Sequence, residues 1–206
     1  MDADAWNTRY AGSELVWSAG PNQWVESELA GLSPGRALDL ACGEGRNALW
    51  LAGLGWQVTA SDFAEQGLVK GRAVQERLEA AGRTLAVEWV CADATAVTWP
   101  RGAFDLVVIS YLQLAPDLRR EATRRAAAAL APGGILLVVG HDTSNLADGW
   151  GGPQEPAVLF TTDDVVDDVA GLGLEVVRAG RVERHVETAE GPRVALDALV
   201  RLRRPA

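Results

Sequence analysis

Ala37-Leu38-Asp39-Leu40-Ala41-Cys42-Gly43-Glu44-Gly45 decides how the rest of the chain is read. Its first half is a short apolar run holding one acid, which predicts a buried strand over 37–40. Its second half is a glycine turn. From Arg46 to Leu54 the apolar residues Ala48, Leu49, Leu51 and Ala52 recur at helical spacing, and Gly53 and Gly55 mark the end of that helix. Strand, glycine turn and helix in this order open an alternating α/β chain.

Outward from there the alternation continues. Residues 57–60 read as a second strand, 65–81 as a charged amphipathic helix closed by Gly82, and 85–90 and 104–109 as further strands. Residues 117–130 form an Arg- and Ala-rich helix ended by Pro132-Gly133-Gly134, and the apolar, β-branched run 135–139 is a fifth strand. Thr161-Thr162-Asp163-Asp164 caps another helix and sets its acids at the positive end. From Leu174 the tail alternates on both sides of Thr188-Ala189-Glu190-Gly191-Pro192, the pattern of a long hairpin. Such alternation predicts right-handed crossovers and a doubly wound, mostly parallel sheet covered on both faces, into which the hairpin inserts an antiparallel strand.

With 206 residues the chain reads as one domain, residues 1–206. A hydrophobic content of 48% and a charged content of 23% exclude a disordered chain and a coiled coil. No apolar run approaches the length of a membrane span and no basic start leads into an apolar stretch, so a cytoplasmic protein is expected. Nineteen Lys and Arg stand against 28 Asp and Glu, a net charge of −9, which disfavours a phosphate-backbone partner. Cys42 and Cys91 form no CxxC pair, and His141 and His185 are the only histidines, so no metal site is expected.

In sheets of this kind ligands sit at the carboxyl ends of the strands. Gly43 and Gly45 let backbone approach a ligand closely. The pattern Gly43-x-Gly45-x-x-Ala48 also fits a dinucleotide-binding loop or a plain turn. Asp39 sharpens the choice, since its carboxylate suits a cationic ligand and sits badly beside a pyrophosphate. Asp62 ends the second strand, where an acid accepts hydrogen bonds from two ribose hydroxyls, and Phe63 is placed to cover an adenine face; a helix-cap role for Asp62 competes. Asp93 ends the third, where it can take the exocyclic amino proton of adenine while the backbone at Ala94 serves a ring nitrogen; a turn-forming role competes. Asp105, at the start of the fourth strand, reads as structural.

These stretches, with Ala92-Asp93-Ala94, Phe104-Asp105-Leu106-Val107 and Leu130-Ala131-Pro132-Gly133-Gly134, resemble the class I S-adenosylmethionine-dependent methyltransferases over about residues 36–140. The resemblance implies a Rossmann-like, seven-stranded sheet with an antiparallel last strand, and S-adenosylmethionine as cofactor with S-adenosylhomocysteine as product. It also implies roles: Gly43 and Gly45, with Ala41 in the same turn, beneath the methionine moiety, Asp39 near the ammonium group, Asp62 on the ribose, Asp93 on the adenine, and the backbone at Ser110 receiving the ammonium. The start, with Trp6, Arg9, Tyr10, Trp17, Pro21 and Asn22, is similar to small-molecule methyltransferases of the tellurite-resistance and thiopurine type. That likeness implies that residues 1–30 fold over the cofactor, Arg9 pairing its carboxylate and Trp17 walling the site; core packing of the tryptophans competes.

Methyl transfer needs no metal and no covalent enzyme intermediate; holding the nucleophile in line and excluding water supply most of the acceleration. A hydroxyl acceptor gains from a general base, and His141, directly after the fifth strand, is the candidate, against a packing or capping role. Tyr111 and Gln113 follow the fourth strand on the acceptor side. Residues 142–160, with Trp150-Gly151-Gly152-Pro153, read as a substrate loop or an ordinary surface loop. Ser110-Tyr111-Leu112-Gln113 stands where related families that methylate planar amino groups carry an Asn-Pro-Pro-Tyr-like stretch. The acceptor is therefore expected to be a small molecule. Two alternatives stay open: a cofactor-binding module without catalysis, and an NAD-dependent oxidoreductase, which Asp39, Asp93 and the Pro-Gly-Gly stretch oppose.

Overall fold

The computed structural model describes residues 2–12, 15–16 and 20–206. Seven strands form one sheet: β1 (Arg36–Leu40), β2 (Gln57–Asp62), β3 (Val87–Cys91), β4 (Phe104–Ser110), β5 (Leu130–His141), β6 (Glu175–Thr188) and β7 (Gly191–Arg203). Their order is β3-β2-β1-β4-β5-β7-β6. The first five run parallel, and β7 lies antiparallel between β5 and β6, as the hairpin reading requires. The helices are α1 (Ala3–Tyr10), α2 (Gln23–Leu29), α3 (Arg46–Gly53), α4 (Glu65–Ala80), α5 (Pro116–Ala129), α6 (Asn145–Asp148) and α7 (Thr162–Asp168), with a 3-10 turn over Pro156–Val158.

Alternation along the strands builds two apolar layers. Ala37, Leu106, Val108, Leu137 and Leu199 face Val25 and Leu29 of α2 and Ala48, Leu51 and Ala52 of α3. Their neighbours Leu38, Val107, Ile109, Leu136, Val138 and Val200 face Ala122, Ala126 and Ala127 of α5 and Val165 of α7. Burial on both faces explains why the central strands read as unbroken apolar runs. Thr161 closes a capping box on α7 with Asp164, as its sequence predicts.

Some boundaries differ from the sequence reading. Pro132-Gly133-Gly134 does not lie between a helix and a strand: α5 ends at Ala129 and β5 begins at Leu130. The Pro-Gly-Gly segment forms an irregularity within β5, where the register against β4 slips between Phe104 and Leu106. Gly133 takes a φ of 78°, and Gly133 and Gly134 exchange backbone hydrogen bonds with Arg204 beyond the end of β7. The third strand starts at Val87 rather than Leu85. Residues 142–160 are partly ordered into α6 and the 3-10 turn instead of forming one open loop.

The strand order reverses between β1 and β4, where Asp39 pairs with Val108 and Leu40 with Ile109. The crevice above this switch point is the ligand position of open α/β sheets.

Candidate functional site

The turn after β1 is held in a left-handed backbone at three positions, Ala41 (φ 60°), Gly43 (φ 58°) and Gly45 (φ 75°). The non-glycine residue costs roughly 1–2 kcal/mol in that region, a strain typical of functional turns. Cys42 N–H donates to the Ser61 carbonyl at 2.9 Å, and Gly43 N–H donates to Asp62 at 2.8 Å. Beneath the turn the Trp89 ring occupies the space that side chains at Gly45 and Gly71 would need. The turn runs directly into α3, with Gly45 at its N-cap.

Asp39 lies in β1 at 1% exposure, and neither carboxylate oxygen has a hydrogen-bond partner among the described residues. Burial pushes its carboxyl up to about 7, offset in part by the Ala48 amide, which falls short of a proper hydrogen bond, and by the Arg46 charge. A buried, unsatisfied carboxylate is costly and calls for a cationic ligand. This orphaned acid beside a glycine turn fits the ammonium end of S-adenosylmethionine.

Asp62 is buried and each oxygen already accepts one amide, Gly43 on Oδ2 and Ala64 on Oδ1 at 2.8 Å. Burial raises its carboxyl while the Ala64, Gly43 and Phe63 amides pull it down. Each carboxylate oxygen keeps a second lone pair, so these turn contacts leave room for a further donor. Phe63 is half-buried beside it. Asp93 is exposed and its Oδ1 accepts the Thr95 amide at 2.7 Å and the Thr95 hydroxyl at 2.8 Å, the turn-forming arrangement, with Ala94 buried next to it. Asp105 is structural, accepting the Arg36 amide at 2.8 Å.

The N-terminal segment packs against this half of the site. Tyr10 is buried, stacks on Trp6, and lies where a side chain at Gly67 would meet it, next to the Gly43 carbonyl. Arg9 is exposed with its guanidinium 5.1 Å over the Trp6 ring. Glu44 accepts the Val16 amide and pairs with Lys70 at 3.1 Å, tying the segment to the turn and to α4. Trp17 lies outside the described residues.

Across the crevice, Ser110 ends β4 with its hydroxyl unpartnered among the described residues, and Tyr111 follows at φ 57°, its amide donating to the Val139 carbonyl at 2.7 Å. His141 ends β5; its ring lies 4.8 Å from that of Tyr111, edge to face. Both turn toward Asp197 of β7, which the sequence reading missed. Asp197 is fully buried, and its Oδ2 accepts Tyr111 OH at 2.5 Å, Arg184 Nε at 2.8 Å and Trp24 Nε1 at 2.9 Å. Burial holds the Tyr111 phenol well above its ordinary range, and Asp197 adds to the effect. Burial lowers His141 below the usual imidazole value, with Asp197 opposing and Arg184 reinforcing the shift. Arg46, also missed, sits between the two halves, its charge felt by Tyr111, Asp39 and Arg184. His185 is exposed. One signal was available for Asp197: like Asp39, it is a single acid inside an apolar strand.

Residues 37–134 match a family described as a methyltransferase domain. A demethylmenaquinone methyltransferase of Clavibacter sepedonicus is 33% identical over 132 residues, covering 64% of this chain and 50% of that protein. The chain spans about half the length of the curated relatives it matches. Among solved structures, the N-methyltransferase NodS of Bradyrhizobium japonicum WM9, in complex with S-adenosyl-L-homocysteine, superposes with a TM-score of 0.71 at 18% identity over 99% of this chain and 98% of that one. TehB from Haemophilus influenzae does so with a TM-score of 0.70 at 20% identity, over 99% of this chain and 67% of that one. These two likenesses are of fold; the matched domain and the orphaned acid beside its glycine turn carry the assignment. Residues 37–134 thus carry a match to a methyltransferase domain, and over that stretch the chain is similar to the class I S-adenosylmethionine-dependent methyltransferases.

Proposed function

We propose that the protein transfers a methyl group from S-adenosylmethionine to a small-molecule acceptor. The observation that carries this reading is the buried, unpartnered carboxylate of Asp39 beside the left-handed turn. Asp39 and the backbone at Ser110 hold the ammonium group, the turn at Ala41, Gly43 and Gly45 carries the methionine moiety, and Asp62 takes the ribose. Phe63, Asp93 and Ala94 border the adenine, Asp93 turning one oxygen outward while the other keeps Thr95. The described part of residues 1–30 covers the cofactor, and Arg9 belongs to that cover. When bound, the sulfonium supplies an electrophilic methyl carbon with a neutral thioether as leaving group.

The chain's own residues complete the acceptor side. Tyr111 and His141 face the acceptor, and residues 142–160 wall it. Burial keeps His141 neutral at neutral pH, so it can take the proton that a hydroxyl or thiol acceptor sheds as its bond to carbon forms. An amine acceptor needs no such step. The net charge of −9 supports a small acceptor over a nucleic acid, and two free cysteines are in keeping with work in the cytoplasm. No helix among the described residues is long and apolar enough to cross a membrane.

Calorimetric titration with S-adenosylmethionine, S-adenosylhomocysteine and NAD in parallel tests the reading. Micromolar binding of the first two and none of NAD is expected. Binding of NAD alone, or of none of the three, overturns it.

A further inference from the structure

We propose that Asp197 is the positioning residue of the acceptor pocket: it holds the His141 imidazole with Nδ1 turned inward, so that Nε2 is the nitrogen offered to the acceptor. The chemistry rests on the methyl-transfer reading above, whereas the arrangement of side chains stands on its own.

Asp197 sits opposite His141 in the antiparallel ladder of β5 and β7, which places both side chains on one face of the sheet. A fully buried carboxylate costs several kcal/mol unless donors surround it. Here donors converge from three elements that meet only in the fold: Trp24 from α2, Tyr111 from the end of β4 and Arg184 from β6. They occupy Oδ2. Oδ1 keeps a long contact to Arg184 Nη2 at 3.4 Å and faces His141 Nδ1 at 3.6 Å. Nδ1 is buried and has no hydrogen-bond partner among the described residues, so the carboxylate is the acceptor before it.

The ring is confined on its other sides as well. Tyr111 packs edge to face against it, and Gly152, at φ 77°, lies so close that a Cβ there would stand 2.8 Å from Cε1 and 2.9 Å from Nδ1. A confined imidazole with a carboxylate before Nδ1 places its proton on that nitrogen and leaves the lone pair on Nε2. The 3.6 Å separation is the kind of apo distance that tightens when a ligand closes the site. Arg184, whose charge also reaches the His141 ring, donates its Nε proton to Asp197 and Tyr111.

Long-range proton–nitrogen NMR of the imidazoles of the full chain tests this at pH 7.5. Only two histidines contribute, and His185→Gln assigns them. Neutral His141 is expected with its proton on Nδ1, and Asp197→Asn is expected to shift the tautomer ratio toward Nε2–H by about tenfold or more. A wild-type His141 protonated on Nε2 overturns the proposal, and so does a folded Asp197→Asn protein with an unmoved ratio. If that variant does not fold, the wild-type spectrum decides alone. Titrating the same samples with S-adenosylhomocysteine separates the two readings: failure to bind it removes methyl transfer, while binding with the wrong tautomer removes only the role of Asp197.

Discussion

Tyr111 and Asp197, 86 positions apart in sequence, share a 2.5 Å hydrogen bond in which the phenol donates to the carboxylate. The bond joins the residue after β4, held in a left-handed backbone, to the middle of β7. Tyr111→Phe removes one of three donors to Oδ2 and leaves Trp24 and Arg184 in place. A loss of about 1–3 kcal/mol is expected for a hydrogen bond to a buried charge, read as a fall in Tm of about 2–4 °C per kcal/mol, with unchanged affinity for S-adenosylhomocysteine. An unchanged Tm would show that the bond contributes nothing to stability.

Asp39 couples binding to acidity. Its carboxyl is raised to about 7, so its contribution to the stability of the ligand-free fold is complete below the unfolded value of 3.8 and is lost as pH climbs through 7. Asp39→Asn should therefore raise Tm at pH 8 and leave it nearly unaltered at pH 4. Binding runs the other way: affinity for S-adenosylhomocysteine in the wild type should rise with pH up to about 7, then level. The variant should bind more weakly with a flat profile. Calorimetric titration at pH 5.5, 6.5 and 7.5 checks both slopes.

Asp62→Ala withdraws the acceptor from the Gly43 and Ala64 amides as well as from the ribose. Affinity for S-adenosylhomocysteine should drop by about one to two orders of magnitude, corresponding to about 1–3 kcal/mol. Full affinity in a folded variant would remove Asp62 from the cofactor site.

Gly152→Ala tests the wall over His141. The added methyl meets the imidazole at 2.8–3.1 Å in a backbone conformation that costs an L-residue about 1–2 kcal/mol. The His141 resonances should move while affinity for S-adenosylhomocysteine stays as in the wild type. Unmoved resonances would mean that the loop does not rest on the ring.

Gly71→Ala places a methyl group against the Trp89 ring and 3.0 Å from the Glu44 carbonyl. Trp89 is also fixed by donating to Gln75 at 2.7 Å, so it cannot simply swing away. A destabilisation of about 1–3 kcal/mol from overpacking is expected in thermal unfolding. Because the same ring underlies Gly45, cofactor affinity should weaken too.

The proposed donor half of the site was legible because its residues are close in sequence. Asp39, the glycines of the turn and Asp62 fall at the ends of two adjacent strands, and local periodicity is enough to find those ends. The acceptor half was legible only in part. Tyr111 and His141 follow predictable strands and the β6–β7 hairpin was readable, but Trp24, Arg184 and Asp197 meet only once β7 lies against β5, a contact that no local pattern specifies. Asp93 was readable in two ways, and the structure engages one of its oxygens with Thr95. The Pro132-Gly133-Gly134 stretch looks like a helix stop, yet its irregularity inside β5 is fixed by Arg204 from the far end of the chain.

The hairpin that carries Arg184 and Asp197 lies wholly beyond residue 134, where the methyltransferase match ends. On the proposed reading, part of the acceptor side is thus encoded beyond the stretch that holds Asp39, the glycine turn and Asp62. Substitutions in the hairpin would change the surroundings of Tyr111 and His141 without touching Asp39 or Asp62.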